Sequence, residues 1–316
     1  MISSLCTAAA PLMLASLGAL LSELSGALGI FIEGFMSLGS FFAWVIALKT
    51  GSVFWGFGIT ALMGAFAGWA LARFVRLTRA NPFIVGLALN LAAGGITDSL
   101  ALTWFGTKGV LRNPGIPIPG PLYLPWAADI PVVGTLFSLL SGHLPWVYVA
   151  WLSSILASLI IDRTPLGLRL RASGRSPEAA MERGIRPDRY REGAWAAAAF
   201  FAALAGAALT FRVGVYTPGG VAGRGWIALA AVYLGFRRVW GVAAAAVVFA
   251  LAEHIGLGIQ GLGALPATAL LGIPAALALI LYTLSHGIEK KRGIGTSKTQ
   301  GYQRKNKRTP IKERRL

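Results

Sequence analysis

Charge is scarce in this sequence, and acid is the scarcer sign: Asp and Glu number 12 against 29 Lys and Arg, and charged residues make up 13% of 316 positions. A domain that faces water on all sides carries roughly 25%, so a soluble surface is excluded. Cysteine is almost absent. Cys6 stands alone, which excludes an internal disulfide and any multi-cysteine metal site built from this chain. Histidine occurs three times, and Glu253, His254 and His286 show no ligand spacing known for a metal, so none is expected. The phosphate-cradling pattern G-x-x-x-x-G-K-[ST] is missing, as is any cluster of acid, base and nucleophile. The chain therefore holds no ATP site of its own, no cofactor site is expected, and a membrane-embedded enzyme is disfavoured.

What is present is apolar length. Hydrophobic residues reach 55% and mean hydropathy is +0.65. Candidate spans fall at 6–22, 27–48, 53–75, 83–103, 147–161, 194–211, 226–236, 240–257 and 264–284, most of them near the ~20 residues that cross a bilayer as helix. The runs are continuous in Leu, Ala, Gly, Val and Phe, without the alternation of a membrane barrel. The expected fold is an all-α integral membrane protein, a polytopic bundle of about nine, between eight and ten, transmembrane helices. Spans 147–161 and 226–236 are short, and one of them suits a half-helix buried in the bundle. Residues 1–21 lack the cationic start of a cleavable signal and read as a retained first helix.

The excess of +17 sorts by loop. Arg73, Arg76 and Arg79 follow the third span, eight arginines from Arg163 to Arg191 fill the connection 162–192, and Arg237 and Arg238 separate the seventh and eighth spans. The positive-inside rule makes these cytoplasmic, and nine spans put all of them with the C-terminal tail on one side. The long proline-rich connection 104–146, cation-poor, lies outside, with an apolar stretch at 132–140 that could dip into the bundle. The expected division is a transmembrane domain at 1–287, including the cytoplasmic loop 162–192, and a basic tail at 288–316. That tail has too little apolar surface to fold alone and suits anionic membrane lipids rather than nucleic acid.

Within the loop, Ser176 is a good N-cap, Pro177 fits the first helical position, Glu178 suits the positive helix end, and Gly184 fits the residue after the C-cap. A helix of about two turns is specified, too short to stand alone in water. Ala179, Ala180, Met181 and Ile185 offer apolar contacts, which fits either a docking element for a cytoplasmic partner or a helix lying on its own bundle.

These residues resemble a known family. Glu178-Ala179-Ala180 followed by Gly184-Ile185 is similar to the coupling loop of ABC importer permeases. Gly167-Leu-Arg-Leu-Arg-Ala172 resembles the permeases for simple sugars and nucleosides, related to those for branched-chain amino acids. Leu21-Ser-Glu-Leu-Ser-Gly26 with Ile32-Glu-Gly34, Gly86-Leu-Ala-Leu-Asn90 and Gly223-Arg-Gly-Trp-Ile-Ala-Leu-Ala-Ala231 match further stretches in order, covering about 10–285. Gly29 stands where the family usually has Asn, and Gly235-Phe-Arg-Arg-Val-Trp-Gly241 replaces an "FG.W.P" pattern. The resemblance implies a bacterial inner-membrane permease subunit that imports a nucleoside or another small ring-bearing solute, with riboflavin and simple sugars as alternatives. It implies a separate cytoplasmic ABC ATPase that binds the ATP, a second permease subunit, best read as a homologous partner in a heterodimer, and an extracytoplasmic solute-binding lipoprotein. Ser176, Pro177, Glu178, Ala179, Ala180, Met181, Gly184 and Ile185 then become the ATPase-coupling residues.

Polar residues inside spans are costly and mark candidate solute contacts. Glu33, Asn90, Thr97, Asp98 and Arg224 are the candidates here. Asn90 and Thr97 are seven residues apart and share a helix face. Glu23 and Glu33 flank a Gly-rich break and also suit caps or inter-helix bonds, while Gly223-Arg224-Gly225 could hold an anion at a helix N-terminus, though a tight turn is the favoured role. Glycines 64, 68, 86, 94 and 95 suit close helix packing. An ion-coupled secondary transporter is the rival function. It calls for internal repeats and paired midplane charges, and neither is evident.

Overall fold

In the computed structural model, residues 2–113, 115–122 and 141–261 are described, all within one compact unit. They form ten helices: α1 (Ile2–Leu24), α2 (Ile32–Thr50), α3 (Val53–Thr78), α4 (Pro82–Phe105), α5 (Pro145–Arg163), α6 (Pro165–Arg175), α7 (Pro177–Glu182), α8 (Pro187–Val213), α9 (Arg224–Leu234) and α10 (Val239–Gly261). Seven of these are long and apolar enough to cross a membrane, and α9 is a shorter apolar helix. Among the described residues the only extended pairings are two isolated bridges, Leu111 with Tyr216 and Leu122 with His143. The fold is thus the polytopic helical bundle expected. The span at 264–284, the stretch 132–140, and the tail with its boundary at 287 lie outside the described residues.

The centre of the bundle is α8, whose sequence Ala194–Leu209 is dominated by Ala and buried almost throughout. With no hydrophobic drive between helices in lipid, close backbone approach has to supply the attraction, and small residues permit it. Three neighbours meet α8 through glycine. A Cβ on Gly18 of α1 would lie 2.6 Å from the Ala198 carbonyl, one on Gly39 of α2 would lie 2.5 Å from that of Ala203, and Gly64 and Gly68 of α3 face the methyls of Ala203 and Ala199. Gly86 packs on Ile30 in the same manner, but Gly94 and Gly95 of α4 have nothing within 4 Å. Among the described residues those two are not packing sites, and α4 is the least buried of the seven spans.

Boundaries follow local chemistry. Asn81 caps α4 by accepting from the Phe83 N–H, with Pro82 at the first position, and Gly106 at φ +70° ends it. The expected span at 27–48 begins later, at Ile32. Gly26 at φ +80° breaks the chain after α1, and residues 25–31 run as turns whose N–H groups bond back to α1 or locally, while the Ser25, Ala27 and Ile30 carbonyls accept from side chains of other helices. The expected short span 226–236 is a half-helix, α9, while 147–161 lengthens to the 19 residues of α5.

The arginine-bearing segments meet at one end. Arg76 near the close of α3 pairs with Glu192 near the start of α8 at 2.9 Å, Arg171 of α6 with Asp162 of α5 at 3.6 Å, and Arg237 with Glu23 at the end of α1 at 2.8 Å. This is the end that the charge rule expects in the cytoplasm. At the other, Ser3 Oγ donates to the Gly142 carbonyl at 3.1 Å.

Candidate functional site

Helix α6 starts where Thr164 accepts from the Gly167 N–H and Pro165 sets the first turn. It ends at Ser176, whose carbonyl accepts from the Ala180 N–H at 3.0 Å and so opens α7. The Ser176 hydroxyl makes no capping bond, so the serine serves through its backbone. Gly184 at φ +74° closes the element: its N–H donates to the Met181 carbonyl and the Ile185 N–H to that of Ala180, at 2.9 and 3.0 Å. Only Gly and a few polar residues sit easily at such a φ. Six residues are thereby held as a knob. Ala180 points inward at 4% exposure, and Met181 stands out at 57% with Glu178 and Ala179 exposed beside it. A cavity of about 600 Å³ opens next to Met181 and Ile185, walled by Arg73, Arg76, Asp188 and Glu192.

The knob connects to the bundle through residues 25–34. Gly174 of α6 lies against Gly26, where a Cβ on Gly26 would come within 2.8 Å of the Gly174 Cα. Arg191 Nε donates to the Ser25 carbonyl at 3.3 Å, and Trp195 Nε1 to that of Ala27 at 3.2 Å, tying the turn to α8. Asn90 ties it to α4: its Oδ1 accepts from the Gly34 N–H and its Nδ2 donates to the Ile30 carbonyl, both at 2.7 Å. Glu33 reaches α9. Its two carboxylate oxygens accept from the N–H groups of Gly223 and Gly225 at 2.8 and 2.6 Å. The anion at the positive end of α9 is therefore a side chain of the same chain. Gly225 is glycine because a Cβ there would stand 2.6 Å from the Glu33 backbone.

Arg224, the first residue of α9, bonds the Gly220 and Val221 carbonyls at 2.9 and 3.1 Å and pairs with Glu253 of α10. Both partners are largely buried. Removing either partner would leave the other as an unpaired charge in a low-dielectric interior.

The chain matches the family described as the branched-chain amino acid transport system / permease component over residues 1–284. It belongs to that permease family. A Haloferax volcanii protein named as a glucose ABC transporter permease, TsgC13, is 32% identical over 81% of this chain and 76% of its own length. The guanosine ABC transporter permease NupQ of Bacillus subtilis is 30% identical over 79% of each chain. The nucleoside ABC transporter permease NupC of Lactococcus lactis is 28% identical over 88% of this chain and 89% of its own. No solved structure matches. This is an ABC transporter permease, a multi-pass protein of the bacterial inner membrane.

In the permease, the residues singled out from sequence separate into two groups. Glu33, Asn90 and Arg224 sit in the bonds just described, with Ser176 through Ile185 forming the knob. Thr97 and Asp98 lie further along α4, next to Tyr216. Burial pushes the Tyr216 phenol above its ordinary value, a hydrogen bond with Thr97 opposes that, and the Asp98 charge adds to the rise; the phenol is neutral and able to donate. Thr97 also donates to the Gly94 carbonyl at 2.9 Å. Phe41 packs edge-on to Tyr216 at 5.2 Å and stacks with Trp104 at 5.9 Å between ring centres. Trp104 is seven residues after Thr97, hence on the same face, and 48% exposed.

Sequence reasoning missed Tyr216, Trp104 and the contact of Gly174 with Gly26. Tyr216 is placed by pairing of its backbone with Leu111, at 2.9 and 3.1 Å, across a separation that no local pattern announces. Gly26 and Gly174 did leave a signal, a glycine at the end of an apolar run and another in a helical arginine stretch.

Proposed function

We propose that this permease imports nucleosides, with ATP hydrolysed by a separate cytoplasmic ATPase that seats the Met181 knob, a homologous second permease subunit, and an extracytoplasmic solute-binding lipoprotein delivering the cargo. The observation that carries the cargo assignment is the juxtaposition of an aromatic stack, Phe41 with Trp104, and the polar trio Thr97, Asp98 and Tyr216. A planar base stacks on an aromatic face, and ribose hydroxyls need acceptors and donors of the kind Asp98 and Thr97 supply. Two of the similar proteins carry guanosine or nucleoside in their names, which supports the same reading. A sugar is the second reading, supported by the relative named for glucose. In both, solute contact belongs to Thr97 and Asp98. Glu33, Asn90 and Arg224 belong to the scaffold that moves them.

The stroke follows from the bonds. When the ATPase shifts α7, α6 moves with it through the Ser176 they share, and the turn follows because Gly174 leaves no slack against Gly26. The turn at 25–34 then carries α4 through Asn90 and α9 through Glu33. Interfaces so tightly packed have discrete arrangements, so the motion is a switch between two packed states. An ion gradient has no coupling element in this scheme.

The cargo is tested by uptake into proteoliposomes holding the whole importer. Unlabelled nucleosides should compete with labelled nucleoside and glucose should not. Asp98→Asn should raise KM by roughly ten-fold, the worth of one hydrogen bond to a charged acceptor. Competition by glucose alone would replace the nucleoside with a sugar.

A further inference from the structure

On the cytoplasmic side, away from the knob's exposed face, a second cavity of about 990 Å³ opens between the ends of α1 and α5, helix α6 and the turn joining α9 to α10. Its walls carry Arg171, Arg175, Arg237 and Arg238 against the acids Glu23 and Asp162. Both acids are already matched, Glu23 by Arg237 and Asp162 by Arg171. Among the described residues no ion pair engages Arg175 or Arg238. The cavity thus has two uncompensated guanidinium groups, the side chain best shaped for bidentate contact with a phosphate.

Its depth decides what kind of phosphate. Val239 opens α10 and Arg163 closes α5, so the walls stand where membrane spans leave the hydrocarbon. Trp240 and Phe236, 51% and 59% exposed, line the same opening. Exposed aromatic rings beside exposed arginines in one opening suit the level of lipid headgroups rather than bulk water. The turn itself is held in an uncommon shape. Phe236 and Arg237 are consecutive residues at φ +54° and +56°, a conformation that costs a side-chain-bearing residue roughly 1–2 kcal/mol. That geometry sets Arg237 against Glu23 and leaves Arg238 for the cavity.

We propose that this cavity binds the phosphate of an anionic phospholipid of the cytoplasmic leaflet, through Arg175 and Arg238. Because Arg175 immediately precedes Ser176 and α7, the lipid would sit at the base of the coupling knob. The site is independent of the cargo, so the failure of either assignment leaves the other standing.

The test is lipid retention by the full-length permease, purified from membranes and examined by native mass spectrometry with added phosphatidylglycerol or phosphatidylcholine. Wild type should retain phosphatidylglycerol selectively. Arg175→Gln with Arg238→Gln should weaken that retention roughly thirty-fold, two cations at their usual worth near an anionic leaflet. The charge-matched variant Lys108→Gln with Arg112→Gln, both exposed in the outside connection, should keep it. Among the described residues neither arginine is in an ion pair, so the double variant should unfold at the wild-type temperature in lipid-free detergent. Equal retention of phosphatidylcholine, unchanged retention by the arginine variant, or an equal loss in the Lys108 and Arg112 variant would each overturn the proposal. Displacement of the lipid by inorganic phosphate would also overturn it, by assigning the cavity to a free anion.

Discussion

Asn90 does with one side chain what usually takes two: it gives the Gly34 N–H an acceptor and the Ile30 carbonyl a donor. Both are backbone groups inside a membrane bundle, where no water replaces a lost partner. Asn90→Ala should therefore destabilise the permease by about 2–3 kcal/mol, read as a lower thermal midpoint in detergent, with Asn90→Asp falling between because it keeps the acceptor for Gly34. An unchanged midpoint in Asn90→Ala would mean the turn at 25–34 is held by other bonds. How far such residues were readable depended on the reach of their partners. Glu33 and Arg224 were visible as costly polar groups, and the cap or tight-turn roles weighed for them are what the bonds describe. Their partners Gly223, Gly225 and Glu253 lie 190, 192 and 29 positions away, and no local periodicity encodes such pairings. Tyr216 gave no signal because its place depends on a bridge to Leu111.

At the scale of elements, α7 shows why a helix of six residues survives. Its backbone is closed by Gly184 and Ile185, one alanine is buried, and the outward face is exposed among the described residues. Ser176, Pro177 and Gly184 announced this helix in the sequence because capping is local chemistry. That Ala180, not Met181, would turn inward was hidden, since over six residues helical phase is set by the neighbours. Met181→Asp puts a charge on the exposed face without touching the fold. It should abolish association with the ATPase in a pull-down while the thermal midpoint of the permease stays put. Retained association would remove α7 from the coupling role. Helix α9 carries a similar lesson: its short apolar run signalled a half-helix, but the carboxylate at its N-terminus comes from α2.

For the whole molecule, the polytopic helical bundle and the gathering of arginine-bearing segments at one end were the most legible features, because hydropathy and arginine placement act along the chain without tertiary help. The route from knob to turn to α4 and α9 was illegible, being a set of contacts between distant glycines and side chains. Orientation yields its own check. In a Cys6→Ser background, Met181→Cys should react with a membrane-impermeant maleimide only in inverted vesicles, and labelling from the outside would invert the topology. The claim that binds all scales together is that an ATPase acting on α7 drives nucleoside import. Uptake of labelled nucleoside by the complete importer in proteoliposomes, with ATP or an ion gradient supplied separately, tests it most directly. The account predicts uptake with ATP alone, lost in Met181→Asp; uptake driven by a proton or sodium gradient without ATP, and indifferent to that substitution, would contradict it.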